Sequence, residues 1–230
     1  MRIHRTAAMF ALLATAAAGL VARAEDKMAK LWQDRVEAFR KENASLPPDR
    51  LNAVFLGDSI TQGFPLSNYF RGKPVLNRGI VADRISEPAG RGLAGRLKES
   101  VFDCHPAIVL LMIGINDLAS SGQPPEQLAK ACGELIQSIR KGAPKVKIVI
   151  ETCLPVGRKY GRHDSVGPRV VKYNDALRAF ATAQKIPLVD VYALYADAQG
   201  LLPDDLSPDG LHLNAGAYTK WAEAVKPHLQ

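Results

Sequence analysis

The chain has 230 residues, 47 % hydrophobic and 23 % charged, with 30 basic side chains against 23 acidic ones and a formal charge of +7. Arg2, Arg5 and Arg23 fall in a leader-like segment, and without them the charge drops to +4. The remaining basic residues are mostly scattered as on a solvated surface, so no nucleic-acid partner is expected. Three cysteines (104, 132, 153) too widely spaced for a metal motif, and histidines that form neither H-x-x-x-H nor H-E-x-x-H, argue against zinc.

In chain order, MRIHR is a basic start, TAAMFALLATAAAGLV a short apolar run, and Ala22-Arg23-Ala24 a small-residue cleavage site. Residues 1–24 therefore read as a signal peptide. The run falls short of the roughly 20 strongly apolar residues that a membrane span prefers, so no stable insertion is expected once it is cleaved. Cleavage leaves 206 residues, enough for a single domain over 25–230 and consistent with an exported protein, periplasmic or extracellular. An oxidising compartment would allow one disulfide and leave one thiol over. Cys153 ends a strand-like run, where it reads as a small buried hydrophobe.

Residues 25–44 place Met28, Leu31, Trp32, Val36 and Phe39 at helical spacing, predicting an amphipathic helix that packs on the domain and stops at SLPPDR. Five strand candidates follow: NAVFLG (52–57), KPVLNRG (73–79), AIVLLMIG (107–114), KIVIETC (147–153) and IPLVDV (186–191). Helices are predicted near 88–102, 124–141 and 168–184, with a last one capped by Asn214 and ending near His228. The third strand is apolar at consecutive positions, as a central parallel strand covered on both faces requires. The alternation predicts an α/β protein, a three-layer α/β/α sandwich, in which ligands bind beyond the carboxyl ends of the strands.

Four segments sit at those ends and suit one another chemically. They are Gly57-Asp58-Ser59-Ile60, Asn77-Arg78-Gly79-Ile80, Gly114-Ile115-Asn116-Asp117 and Asp209-Gly210-Leu211-His212. A serine nucleophile needs a base, a histidine base needs an acidic partner, and a tetrahedral oxyanion needs N–H donors.

With these blocks the chain resembles the SGNH hydrolase superfamily, often called GDSL esterases, along nearly all of residues 25–230. The resemblance implies a flavodoxin-like five-stranded parallel sheet and ester hydrolysis through an acyl-enzyme, with neither metal nor organic cofactor. It implies Ser59 as nucleophile, His212 as general base and Asp209 as its partner, and an oxyanion hole of the Ser59 N–H, Gly79 and Asn116. Two positions depart from the pattern: Ile60 replaces a leucine, and Ala82 replaces the last glycine of N-x-G-x-x-G. The second exchange reshapes the pocket wall beside Gly79 and leaves that donor in place.

Other polar residues near the blocks have plainer readings. Asp58 holds its turn, Asn77, Arg78 and Asp117 brace loops, and Asn116 has helix capping as its alternative to oxyanion binding. His163 and Asp164 read as exposed loop residues within the basic stretch RKYGRHDSVGPR (158–169), which is either a solvated loop or a rim that attracts an anionic substrate. His105 lies at the wrong end of its strand, and His228 in the final turn of the last helix.

The favoured function is a serine esterase removing short acyl groups, acetyl foremost, from a carbohydrate or similar small ester. A lysophospholipase, thioesterase or acyltransferase on the same fold is the alternative. A carbohydrate-binding module on a degenerate hydrolase fold would have lost a member of the triad, and none is missing.

Overall fold

The structure, a computed structural model, describes residues 25–87 and 90–229. The proposed signal, residues 1–24, lies outside them. Residues 25–43 form helix α1. Its stretch up to Ala38 stands as a unit of its own, with an exposed Lys30–Asp34 ion pair of 2.7 Å one turn apart. From Phe39 onward the chain is a second compact unit, which contains all the predicted site residues.

The sheet consists of β1 (Asn52–Gly57), β2 (Val75–Gly79), β3 (Pro106–Met112), β4 (Lys147–Glu151) and β5 (Leu188–Val189). All pairings are parallel, in the order β2-β1-β3-β4-β5. This is the expected flavodoxin-like arrangement, with helices on both faces. β1 is buried throughout and β3 over its last five residues, because each lies between two neighbours and under helices on either side. The strand cores agree with the sequence reading, while β2, β3, β4 and β5 are shorter than predicted.

After β1 come the short helices α2 (Ser59–Gln62) and α3 (Leu66–Tyr69). α4 (Leu97–Ser100) precedes β3, and α5 (Ile115–Ser120) and α6 (Pro125–Gly142) follow it. α7 (His163–Gln184) connects β4 to β5, and α8 (Val191–Tyr195) and α9 (Tyr218–Val225) complete the chain. α5, α6 and α7 pack together, as do α8 and α9. α6 buries Leu128, Leu135, Ile136 and Ile139 on one face, the periodicity that made it legible.

Three helical expectations are corrected. The helix predicted near 88–102 is broken into a 3₁₀ turn, Leu93–Arg96, and the single α turn of α4. Gly90 and Gly92 adopt φ of 74° and 84°, which no α-helix accommodates. α7 begins at His163 rather than 168 and carries Pro168 in its second turn. The carbonyl that Pro168 leaves unbonded belongs to Asp164, which is exposed and open to water. His163 and Asp164 thus belong to a first helical turn, with His163 Nε2 3.0 Å from Asp164 Oδ1, and not to a loop. Asn214 does accept a capping bond from the Ala217 N–H at 2.9 Å, but regular helix starts only at Tyr218 and ends as a 3₁₀ turn over Lys226–Leu229.

No helix among the described residues is long and apolar enough to cross a membrane. Cys104, Cys132 and Cys153 are all buried free thiols, with no disulfide among them.

Candidate active site

Strand order reverses between β1 and β3, and there the open sheet leaves a crevice at its carboxyl edge. Ser59 enters it from β1. Asp58 caps the turn, its Oδ1 accepting the Ile60 N–H at 2.9 Å, so that Ser59 becomes the first residue of α2. The Tyr218 hydroxyl donates to the Ile60 carbonyl at 2.8 Å, and its ring stacks on Phe64 at 5.0 Å, pinning α2 beneath α9. The amino-acid types of the turn therefore serve mainly to hold Ser59 still.

His212, the expected base, approaches from the loop between α8 and α9. His212 Nε2 lies 2.9 Å from Ser59 Oγ, and His212 Nδ1 lies 2.7 Å from Asp209 Oδ2. The second carboxylate oxygen of Asp209 accepts the backbone N–H groups of Leu211 and His212 at 3.0 and 2.8 Å. Three residues thus form a continuous hydrogen-bonded chain from hydroxyl to carboxylate, the geometry that activates a serine.

Ser207 was missed by the sequence reading. Its hydroxyl donates to the His212 carbonyl at 2.6 Å and accepts the Gly210 N–H at 2.8 Å, closing the histidine loop on itself. The signal was available in S-P-D-G, a turn sequence with proline at its second position and glycine at its fourth. From outside, the Gly157 N–H donates to the Gly210 carbonyl at 2.7 Å, and Lys159 Nζ to the Asp204 carbonyl at 3.1 Å. The start of the basic stretch 158–169 therefore lies against the loop that carries His212.

On the oxyanion side, Asn116 stands in the first turn of α5. Its Nδ2 donates one hydrogen to the Asp83 carbonyl at 2.9 Å, which orients the amide and leaves its second hydrogen available. The Gly79 N–H donates to Asn77 Oδ1 at 2.9 Å, so it reaches a ligand only by sharing that bond. Gly79 is also required sterically: a β-carbon there would collide with the backbone of Asp58 and Gln62. Asn77 Nδ2 donates to the Thr61 and Phe64 carbonyls at 2.7 and 3.1 Å, tying the end of β2 to α2. Ala82 takes φ of 58°, a left-handed conformation that explains why glycine suits this position.

Burial divides the carboxyls. Asp58 is sealed from solvent, which pushes its pKa up to about 7; the bond from Ile60 opposes this, and nearby Asp83 adds to it. Burial likewise raises Asp117 to about 7, against the bond that it accepts from the Ile85 N–H at 3.2 Å. For Asp209 partial burial also acts upward, but the His212 ring and the His212 and Leu211 N–H groups outweigh it and bring the pKa down to about 2. Asp209 therefore stays ionised beside His212.

Arg78 faces away from the crevice. Its buried guanidinium binds Glu42 Oε2 at 2.6 Å and Asn43 Oδ1 at 2.7 Å and lies 4.7 Å from the Phe39 ring centre, which is the bracing role expected of it.

The chain has relatives among known proteins. The model of the GDSL-like Lipase/Acylhydrolase family matches residues 55–220. Platelet-activating factor acetylhydrolase IB subunit alpha2 from Gallus gallus is 26 % identical over 198 residues, covering 82 % of this chain and 79 % of its own. A structure from Streptococcus pneumonia whose name refers to platelet activating factor superposes with a TM-score of 0.76 at 25 % identity, covering 93 % of this chain and 99 % of its own. An acetyl xylan esterase, AlAXEase, shares the fold with a TM-score of 0.64 at 21 % identity, over 78 % of this chain and 100 % of its own. A catalytic-type serine at the switch point and a family match over most of the chain lead to one conclusion: this protein belongs to the GDSL-like lipase/acylhydrolase family of the SGNH hydrolase superfamily and is a hydrolase acting on esters.

Proposed function

We propose that the protein is an exported acetyl esterase that works through an acyl-enzyme on Ser59, with a carbohydrate or similar small alcohol as the leaving half of its substrate. The hydrogen-bonded chain Ser59–His212–Asp209, at 2.9 and 2.7 Å, carries this reading. Ser59 Oγ attacks the ester carbonyl while His212 Nε2 takes its proton. Asp209, ionised, stabilises the imidazolium. The oxyanion is met by the Ser59 N–H, by the free hydrogen of Asn116 and by Gly79, whose bond to Asn77 is then shared. Collapse expels the alcohol with the proton from His212, and water repeats the sequence in reverse to release acetate.

The choice of acetyl draws on two relatives whose names share that acyl group while their alcohol halves differ, an acetylhydrolase of platelet-activating factor and an acetyl xylan esterase. Export draws on the leader-like composition of residues 1–24.

The test is hydrolysis of p-nitrophenyl esters from acetate to palmitate by the protein and by Ser59→Ala. The expected result is a maximum at acetate and a loss of at least about 10³-fold in the variant, as in other serine triads. A maximum at long chains would replace acetyl with a lipid or thioester substrate, and an active Ser59→Ala would remove the mechanism.

A further inference from the structure

Arg96 is a fully buried cation close to the crevice that none of the steps above uses. Its Nε donates to Asp83 Oδ2 at 2.7 Å, its Nη1 to Ser100 Oγ at 2.6 Å and its Nη2 to the Gly57 carbonyl at 2.9 Å. Two of these contacts lead directly to the site. Gly57 ends β1 two residues before Ser59, and its carbonyl also accepts the Ile80 N–H at 3.2 Å. Asp83, buried like Arg96, is the residue whose own carbonyl orients Asn116 Nδ2. One planar guanidinium therefore bonds both the end of β1, two residues before Ser59, and the residue whose carbonyl holds Asn116.

An ion pair sealed from water needs a reason beyond stability. Desolvation offsets much of its attraction, and well-packed apolar residues often do as well or better. What a guanidinium supplies that an apolar side chain lacks is a rigid fork holding several acceptors at fixed separations. Oxyanion stabilisation demands such fixity, because its donors act only when already in place as charge develops.

We infer that Arg96 is a positioning residue for catalysis: through Asp83 and the Gly57 carbonyl it sets the spacing between the Ser59 turn and Asn116, and hence the width of the oxyanion hole. The inference rests on the esterase reading above. Arg96 touches no substrate atom and acts only through its neighbours. Its contact with Ser100 points away from this linkage and supplies an internal control.

The experiment compares kcat, KM and thermal unfolding of the purified protein with Arg96→Lys, Asp83→Asn, Ser100→Ala and Ser59→Ala on p-nitrophenyl acetate. Lysine keeps the charge beside Asp83 but loses the planar fork that fixes the spacing between the two acceptors. Arg96→Lys is expected to lose at least tenfold in kcat with KM within about twofold, while Ser100→Ala loses stability and keeps kcat within twofold. In an Asn116→Ala background the Arg96→Lys loss should shrink to about threefold or less, since the amide being positioned is gone. If Arg96→Lys does not fold, Asp83→Asn, which keeps an oxygen for the guanidinium, carries the same comparison. A folded variant with kcat within twofold of the parent, or an equal loss in both backgrounds, overturns the inference while leaving the esterase intact. Undiminished activity of Ser59→Ala overturns the esterase reading, and this inference with it.

Discussion

On one side of Ser59 the supporting groups are sealed from water: Asp58, Asp83 and Arg96 are each at most 2 % exposed. On the other side the side chains of His212 and Asp209 keep 38 % and 51 % of their surface accessible. The sealed side is assembled from β1, the end of β2, the turn after it, the segment leading into α4, and the start of α5. The open side is one loop, in which Ser207, Asp209 and His212 bond to one another across at most five residues. In the proposed mechanism the pair that transfers protons is built locally and left wet. The groups that hold the proposed oxyanion donors come from distant segments and are kept dry, while Ser59 and Asn116 themselves are half-buried.

Removing a proposed oxyanion donor is expected to have the largest effect after loss of the proposed nucleophile itself. Asn116→Ala should lower kcat by about 10²–10³-fold with KM little changed, as for other oxyanion donors. If steady-state kinetics show normal turnover and only the melting temperature falls, Asn116 serves only to tie α5 to the turn at Asp83, since it stands inside the helix and caps nothing. On the wet side Ser207→Ala removes two bonds within the loop, a stability loss of about 1–2 kcal/mol. Its kcat should fall by on the order of tenfold as His212 drifts. A variant with unchanged kcat would show that the Asp209 contacts suffice to hold the ring.

The two sides should also answer pH with opposite signs. Asp58 and Asp117 are raised to about 7 by burial, so their contribution to stability is complete below the unfolded carboxylate range near 4 and is lost as pH rises toward 7. Asp209 is lowered to about 2, so its contribution is present above that range and is lost as pH falls toward 2. Denaturant unfolding from pH 3 to 8 should therefore show Asp58→Asn reducing the upper slope and Asp209→Asn the lower one. An unchanged upper slope in Asp58→Asn would mean that its burial is relieved by contacts other than the Ile60 bond. The smallest effect belongs to Ala82→Gly. Relief of the left-handed strain and the added freedom of the unfolded chain nearly cancel, leaving a change within about 1 kcal/mol by thermal unfolding. A larger loss would show that the Ala82 methyl packs usefully beside the crevice.

The reading of the basic stretch shows where chain order stops informing. Its composition was visible, but its contact with the His212 loop depends on the Gly157 N–H meeting the Gly210 carbonyl, more than fifty positions away. The false helix over 88–102 has a similar origin. Leu93, Leu97 and Val101 are all buried in the core, as an amphipathic helix would bury them, yet glycines at 90 and 92 turn the backbone ahead of two short helical pieces.

Sequence alone determined the five strands, their parallel arrangement, Ser59 at the end of β1 and the Asp209–His212 pair, because each is a local property: a run of β-branched and aliphatic residues, a turn, a spacing of three. Only the tertiary structure decided that Asp83 offers Asn116 its backbone carbonyl rather than its side chain, that Gly79 already shares its N–H with Asn77, and that Arg96 bonds both the Asp83 carboxylate and the Gly57 carbonyl. Such contacts depend on which distant backbone groups become buried together. A buried polar group must then find whatever partner the packing has brought within 3 Å, and no pattern along the chain records that choice.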